Sequence, residues 1–224
     1  MPRKVFTAGE VLAAADVNSF LMDQTVMVFA GTAARGSAIG TATEGMYAHL
    51  NDTDTLTYYN GSAWVPSGGT ILQVVSTPKT DVFTTTSSSF TAVTGLSATI
   101  TPKSTSSKIL VLAQITYGEV NAGGYGAFKV TRGGTDIYRG DASGSRSRAV
   151  FGGYTLVDSG LTTNSGSIQF LDSPASTSAL TYQVEVAIAF AGFVLINRSG
   201  GDLDADNSAR VRGASSITLM EVAG

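Results

Sequence analysis

A chain of 224 residues is long enough for one medium-sized β domain with an appendage, or for two small domains. The hydrophobic fraction of 43% supports a genuine core, but the charged fraction of 14% falls well below the roughly 25% usual for soluble domains, so solubility is expected to depend on an assembly that hides apolar surface. The net charge of −3 excludes the basic footprint of a nucleic-acid-binding protein, and the absence of cysteine excludes disulfides and thiolate metal sites.

The first predicted element is a helix over residues 7–24. Its start fits a capping box formed by Thr7 and Glu10, which Gly9 weakens. A later start near Ala13, with Asp16 in the first turn, fits equally well. Four residues at helical spacing form one narrow stripe: Val17, Phe20, Leu21 and Gln24. The stripe suits either packing on the helix's own domain or docking at an assembly axis, so these four are candidate docking residues. Glu10 and Asp16 interrupt the apolar run that a secretory signal needs, so secretion is not expected.

Residues 30–43 are small and polar, and they predict an extended connector. Residues 44–65 then predict two short strands closed by the dipeptide Asn60-Gly61. This dipeptide is a strong hairpin signal, because a type I′ turn needs positive φ at both central residues. A two-residue loop predicts two cross-strand pairs, Tyr59 with Ser62 and Thr57 with Trp64. A lone hairpin is barely stable in water, so this one is expected to lean on a neighbour.

The aromatic side chains of the hairpin have two interpretations. Tyr58, Tyr59 and Trp64 could stack on the sugar rings of a receptor, or they could pack within the module. Asp52 and Asp54 lie where the chain enters the hairpin. Paired carboxylates serve glycosidases, but a turn is the better interpretation here, because Asp side chains hydrogen-bond to their own nearby backbone.

A Pro/Gly/Ser cluster at residues 66–69 predicts a linker between residues 1–65 and residues 70–224. About ten strands are expected after it, at 71–75, 97–101, 108–117, 128–131, 136–139, 149–156, 167–171, 182–190, 193–197 and 216–222. Turn residues separate these segments, so the fold class is mainly β, with a β-sandwich or jelly roll. The longest apolar run, Val186 to Ile196, is too short for a membrane helix, which needs about 20 residues.

Few residues could carry chemistry, and no catalytic, cofactor-binding or metal-binding residue is predicted. His49 is the only histidine, so neither a Ser-His-Asp triad nor a zinc site is supported. The segment 202–207 alternates oxygen ligands like a calcium loop. It lacks the glycine and the final glutamate of that loop, so an exposed loop is the better interpretation.

The densest basic region surrounds residues 139–148, which are expected to form an exposed loop. Arg139, Arg146 and Arg148 are therefore candidate contacts for a partner subunit or an acidic surface glycan. A solvated loop is the simpler alternative. An Arg-Gly-Asp tripeptide at its start matches an integrin ligand, but three residues recur by chance.

The opening of the chain is similar to the opening of many phage minor tail and fibre proteins. The residues that carry this resemblance are Phe6, Thr7, Gly9, Val11, Leu12, Ala14, Asp16, Val17, Asn18, Leu21 and Gln24, followed by Val26 to Ala30. The hairpin resembles a recurrent module of such proteins, through Gly-Met-Tyr, Asp-Thr-Asp and Tyr-Asn-Gly-Ser-x-Trp within residues 45–64. One departure is Ala13, where relatives often carry a threonine as a helix cap.

The later part of the chain resembles the C-terminal domains of phage fibre and tail proteins. Four segments carry this resemblance: 95–111, 171–182, 196–199 and 216–222. Such domains are similar to the trimeric jelly rolls of the tumour-necrosis-factor and C1q kind. The resemblance therefore implies a jelly-roll-like β-sandwich that assembles as a homotrimer.

The resemblance also implies a function, that of a virion structural protein in a tail fibre, tail tip or head fibre. Residues 1–65 would attach it to other virion proteins of the tail, the portal-proximal region or the capsid. Residues 70–224 would form a knob that projects and contacts a host surface glycan. No enzyme activity, cofactor, nucleic-acid partner or membrane insertion is expected.

Two alternatives to this function stay open. The first is a capsid decoration protein, which would differ only in its position in the particle. The second belongs to another class, a carbohydrate-active spike enzyme or a carbohydrate-binding module. A spike enzyme is expected to have a parallel β-helix with an acidic pair in a groove, and the sequence indicates neither.

Overall fold

The structure is a computed structural model that describes residues 26–68, 71–120, 125–154, 163–190, 192–200 and 210–224, together with the single residues 9, 11, 13 and 14. The chain forms two compact units, residues 1–69 and residues 70–224. Apart from those single residues, the predicted helix over 7–24 lies outside the described residues. So do its candidate docking residues, Val17, Phe20, Leu21 and Gln24, and the acidic segment 202–207.

The N-terminal unit contains a four-stranded sheet in the order β1-β2-β3-β4. Its elements are β1 (Val26–Phe29), α1 (Thr32–Ala38), β2 (Tyr47–Leu50), β3 (Thr55–Tyr59) and β4 (Trp64–Pro66). β1 runs parallel to β2, and the other neighbours are antiparallel. Because side chains alternate along a strand, one face buries Ala48 and Thr57 while the other exposes Val28 and Tyr47. Pro66, predicted to begin the linker, is the last residue of β4.

The hairpin at Asn60-Gly61 has a longer loop than predicted. The observed pairs are Tyr59 with Trp64, Tyr58 with Val65 and Thr57 with Pro66. The Asn60 side-chain oxygen accepts hydrogen bonds from the backbone N–H groups of Ser62 and Ala63, at 3.0 and 2.9 Å. This local turn accommodates the extra residues. The predicted pairs of Tyr59 with Ser62 and of Thr57 with Trp64 are therefore wrong. The strand register differs from the predicted register by two residues, so the paired side chains still lie on their predicted faces of the sheet.

The extended connector predicted for residues 30–43 is also wrong, because residues 32–38 form the helix α1. Its sequence contains three alanines, which are the best helix formers, but so short a helix is not stable alone. Tertiary contacts of the buried Arg35 anchor it. Its guanidinium donates a hydrogen bond to Thr57 Oγ1 at 3.0 Å and lies 4.5 Å from the centre of the Trp64 ring.

The C-terminal unit consists of two sheets. The first, called the β9 sheet, contains β7 (Thr91–Ile100), β9 (Tyr125–Arg132), β10 (Thr135–Tyr138), β11 (Phe151–Tyr154) and β13 (Leu180–Phe190). The second, called the β8 sheet, contains β5 (Ile71–Lys79), β6 (Phe83–Thr85), β8 (Lys108–Val120), β12 (Asn164–Asp172), β14 (Phe193–Ile196) and β15 (Ser215–Val222). Each strand predicted for residues 70–224 overlaps one of these, and among the described strands of this unit only β6 is unpredicted. The prediction of a mainly β protein with a β-sandwich is confirmed.

The strands pair like one long hairpin that has been rolled up. β5 pairs with β15, β7 with β13, β8 with β12, and β9 with β11, so the first strand meets the last. The roll then brings β15 against β8 and β13 against β9. This nesting of antiparallel pairs is the connectivity of a jelly roll.

The core lies between the two sheets, and alternate residues of the long strands enter it. Val111 and Ile115 come from the β8 sheet, and Phe128 and Val184 come from the β9 sheet; all four are fully buried. Strand β7 departs from strict alternation, which explains why its first half is not predicted. A register shift against β13, with Gly95 at a φ of 80°, moves the buried positions out of step.

Asp172 joins the two sheets through side-chain contacts. This residue of β12 accepts a hydrogen bond of 2.6 Å from the Tyr182 hydroxyl on β13, and it forms an ion pair with Arg132 of β9. Tyr182 is fully buried, and its burial, followed by the neighbouring Asp172 carboxylate, raises its pKa. The phenol therefore stays protonated and keeps its role as donor at neutral pH.

Candidate functional site

The three aromatic candidates of the hairpin do not share one surface. Tyr58 lies on the exposed face of the N-terminal sheet, with its ring 5.9 Å from that of Tyr47. Tyr59 and Trp64 lie on the opposite face, where their rings meet edge-on at 5.6 Å. Arg35 covers the Trp64 ring on that face. The structure therefore places Tyr59 and Trp64 in a packed cluster and leaves Tyr58 beside Tyr47.

The three arginine candidates have different environments. Arg139 forms an ion pair with Asp136, and Arg148 Nε donates a hydrogen bond to the Gly140 carbonyl at 2.8 Å. Within the described part of the chain, the Arg146 guanidinium has no hydrogen-bond or ion-pair partner. Two of the three arginines thus stabilise the loop between β10 and β11, and Arg146 is available to a ligand.

A charged cluster covers part of the outer face of the β9 sheet. Lys129 Nζ lies 2.5 Å from Asp136 Oδ1 and 3.3 Å from Glu185 Oε2, and it sits 4.3 Å from the centre of the Phe90 ring. The hydrogen bond from Lys129, together with the positive charges of Lys129, Arg139 and Arg148, lowers the pKa of Asp136. The mutual pairing of these groups is typical of a structural network.

Beside this cluster lies a cleft of about 510 Å³. Strands β9, β11 and β13 form its floor, and the loop between β10 and β11 forms one wall. Its lining residues include Tyr125, Ala127, Ser145, Arg146, Ser147 and Gly152. The volume lies within the range of roughly 300–1,000 Å³ that small-molecule sites occupy.

The outer face of the β8 sheet has a different character. The side chains that point away from the core are Ile71, Val74, Ser76 and Pro78 on β5; Ser216, Thr218, Met220 and Val222 on β15; Lys108, Leu110, Leu112, Gln114 and Thr116 on β8; and Ser165, Ser167, Gln169 and Leu171 on β12. Lys108 is the only charged residue among them. This set is called the neutral face below.

An apolar row crosses the neutral face. Val74 pairs with Met220, Met220 with Leu110, and Leu110 with Leu171, so four apolar side chains lie side by side on four strands. Val74 is 54% exposed and Leu171 is 50% exposed. Hydroxyl and amide groups on the rest of the face bond to each other, as Ser76 Oγ does to Thr218 Oγ1 at 2.8 Å.

His49 belongs to a turn of the N-terminal unit. Its ring nitrogens lie 3.2 Å from Asn51 Oδ1 and 3.2 Å from Asp54 Oδ1, and Asp54 has a φ of 48°. Among the residues that the structure describes, no group of three or more His, Asp or Glu side chains could hold a metal ion. Within the same residues, no helix is long and apolar enough to cross a membrane.

Sequence reasoning missed a buried residue that organises the β-sandwich. Asn197, after β14, is fully buried with a φ of 66°. Its side-chain amide donates to the carbonyls of Lys79 and Asp81, at 2.8 and 2.9 Å, and its oxygen accepts from Ser215 Oγ at 2.6 Å. Asn tolerates the left-handed backbone region better than most residues. An asparagine directly after an apolar strand is therefore the sequence signal that could have indicated this role.

Comparison with known proteins found no matching family model and no matching curated protein. Among solved structures, the chain resembles the infectious bursal disease virus Gx strain structure, with 11% identity over 75% of this chain and 43% of that chain at a TM-score of 0.36. It also resembles the T=1 particles derived from infectious bursal virus, with 12% identity over 87% of this chain and 56% of that chain at a TM-score of 0.37. A third is the infectious bursal disease virus VP2 subviral particle, with 13% identity over 77% and 46% at a TM-score of 0.32.

The chain thus spans about half the length of the solved chains that it matches. These three structures are virus particles, and none of them is a tail fibre or a C1q-like domain. At TM-scores below 0.4 the likeness carries no argument about function.

Proposed function

We propose that this chain is a structural protein of a virus particle that works by self-assembly and adhesion, without catalysis. The observation that supports it best is the neutral face of the β8 sheet. Cores of protein interfaces are depleted in charged residues, and exposed apolar rows mark interaction sites. The outer face of the β9 sheet, with its Lys129, Asp136 and Glu185 cluster, lacks this character.

The proposed occupant of the neutral face is a second copy of this chain. A foreign partner is commonly recognised through complementary charge, and this face offers no charge except Lys108 at one end. A face without charge can also be buried against another copy of the chain without leaving an unpaired charge in the interface. The low charged fraction of the whole chain, 14%, agrees with an assembly that covers such a surface. The number of copies, three, comes from the resemblance to trimeric jelly rolls.

The position in the particle follows from the sequence resemblance to phage tail and fibre proteins. In this proposal residues 1–65 attach the protein to other virion proteins, and the β-sandwich projects and contacts the host surface. A density map of the intact particle would test the position. Density for this chain in a tail or head fibre supports the proposal, whereas density spread over the capsid surface would assign it to capsid decoration instead.

Self-association is tested by placing a carboxylate on the neutral face. Leu171→Glu and Val74→Glu should each convert the trimer into a monomer of 23.0 kDa, because an unpaired buried charge should raise the dissociation constant roughly a hundredfold or more. Light scattering coupled to size exclusion at micromolar concentration measures the mass.

The matched control for these variants is Thr99→Glu, which places the same charge on the exposed face of the other sheet. It should leave the trimer intact. A wild-type protein that is a stable monomer, or a trimer that survives both carboxylates on the neutral face, contradicts the proposal.

A further inference from the structure

The cleft on the β9 sheet is built from side chains of three different kinds. Its floor includes two small residues, Ala127 and Gly152. Tyr125 is 40% exposed and forms an aromatic wall. Ser145, Arg146 and Ser147 of the loop between β10 and β11 also line the cleft. The cleft therefore combines an aromatic ring with hydroxyl groups and a cation.

Gly152 is required for the shape of the aromatic wall. A Cβ atom at this position would lie 2.1 Å from the Tyr125 hydroxyl oxygen and 2.4 Å from the adjoining ring carbon. The Tyr125 ring therefore lies directly against the backbone of β11, and any larger residue would displace it. The glycine thus holds the ring at the edge of the cleft.

Arg146 is the chemically distinctive residue of the cleft. It is exposed, and within the described residues its guanidinium has no partner, unlike those of Arg139 and Arg148. A guanidinium binds a carboxylate through two parallel hydrogen bonds. The cleft therefore supplies a cation, two hydroxyl groups and an aromatic ring within one concavity of about 510 Å³.

We propose that this cleft binds a carboxylate-bearing sugar. The carboxylate pairs with Arg146, the sugar hydroxyls bond to Ser145 and Ser147, and the apolar face of the ring packs on Tyr125. This inference deepens the host contact of the proposed function and rests on that function for its biological setting. It also gives Arg146 a role distinct from the two arginines that stabilise the loop.

The test compares two ligands that differ only in the group offered to Arg146, methyl glucuronide and methyl glucoside. Titration of each into the intact protein, followed by ligand-observed NMR, measures the two affinities. The glucuronide should bind about tenfold or more tightly, because charge-assisted hydrogen bonds are the strong ones. Equal affinities, or no binding of the glucuronide, would overturn the proposal.

Three variants assign the binding to the cleft. Arg146→Gln should abolish the preference for the glucuronide, and Tyr125→Ala should weaken both ligands. Lys103→Gln removes the same charge from an exposed residue outside the cleft and should change nothing. A preference that survives Arg146→Gln rejects this site. Because Arg146 lies outside the neutral face, the mass of each variant shows separately whether the trimer of the proposed function persists.

Discussion

At the scale of single residues, the acidic side chain of Glu221 shows how a buried charge is held in place. Glu221 is fully buried on β15, accepts a hydrogen bond of 2.6 Å from the Gln73 amide, and accepts another of 2.7 Å from the backbone N–H of Lys103. Burial acts to raise its pKa, but the nearby polar groups of Ser107, Gln73 and Lys103 outweigh burial, so the pKa is lowered. The carboxylate thus ties the loop between β7 and β8 to the sheet.

Acid should therefore weaken the β-sandwich through Glu221. Since its folded pKa lies below the ordinary pKa of a glutamate, its contribution to stability is complete above that ordinary value and is lost as the pH falls through the folded pKa. Glu221→Gln should cost about 1–3 kcal/mol near neutral pH, because a buried acceptor is replaced by a donor. Urea unfolding at about pH 7 and about pH 3 measures both effects.

The variant should also lose less stability on acidification than the wild type does. Asp141→Asn, which neutralises an exposed acid of the same unit, serves as the control and should follow the wild type. If the stability of Glu221→Gln falls on acidification as much as that of the wild type, Glu221 is not the cause of the loss of stability in acid.

At the scale of elements, helix α1 depends on one side chain rather than on its own propensity. Arg35 reaches across to β3 and β4, where it meets Thr57 and Trp64. Thr57 Oγ1 in turn donates to the Ala48 carbonyl at 2.8 Å, so the contact continues into β2. One residue thus connects the helix to three strands.

Arg35→Ala should destabilise the N-terminal unit by about 1–3 kcal/mol, because the Thr57 hydroxyl loses a donor and the Trp64 ring loses its cover. Trp64 is the only tryptophan of the chain, so its fluorescence reports this unit alone. Ser37→Ala, at an exposed position of the same helix, is the control. An unchanged unfolding midpoint for Arg35→Ala would show that the helix is held by other contacts.

At the scale of the whole molecule, the two compact units differ in how they are built. In the described residues, the N-terminal unit has a single small sheet with a short helix, whereas the C-terminal unit closes two sheets over a continuous core. A core of that kind is sufficient for independent folding. The two units are therefore expected to separate cleanly between residues 69 and 70.

A truncated chain that begins at Thr70 should still fold and unfold cooperatively, as circular dichroism during thermal unfolding would measure. The same protein should fail to enter virus particles, since attachment is proposed for residues 1–65. The full-length chain, produced in parallel, is the reference for both measurements. If the truncated protein enters particles at the level of the full-length chain, residues 1–65 are not needed for attachment and the proposed roles of the two units are wrong.

The sequence by itself determined most strands of the β-sandwich, because local apolar runs bounded by turn residues indicate buried strands. It also placed the exposed loop around Arg146. The exceptions have local causes. The bulge at Gly95 breaks the alternation in the first half of β7, so that half was not predicted. Hydrogen bonds to the Asn60 side chain stabilise a longer hairpin loop. The contacts of Arg35 stabilise a helix over residues 32–38 that its sequence alone does not predict.

Only the tertiary structure decided which residues share a surface. The neutral face joins residues from β5 and β15, which stand at opposite ends of the unit's sequence, and no local pattern signals that pairing. The cleft likewise needs Gly152 beneath Tyr125, which pairing of β11 with β9 brings about. A sequence pattern predicts burial because side chains alternate between the two faces of each strand. A binding surface also depends on the order of the strands in the sheet, and that order is set by pairing between segments that are distant in the sequence.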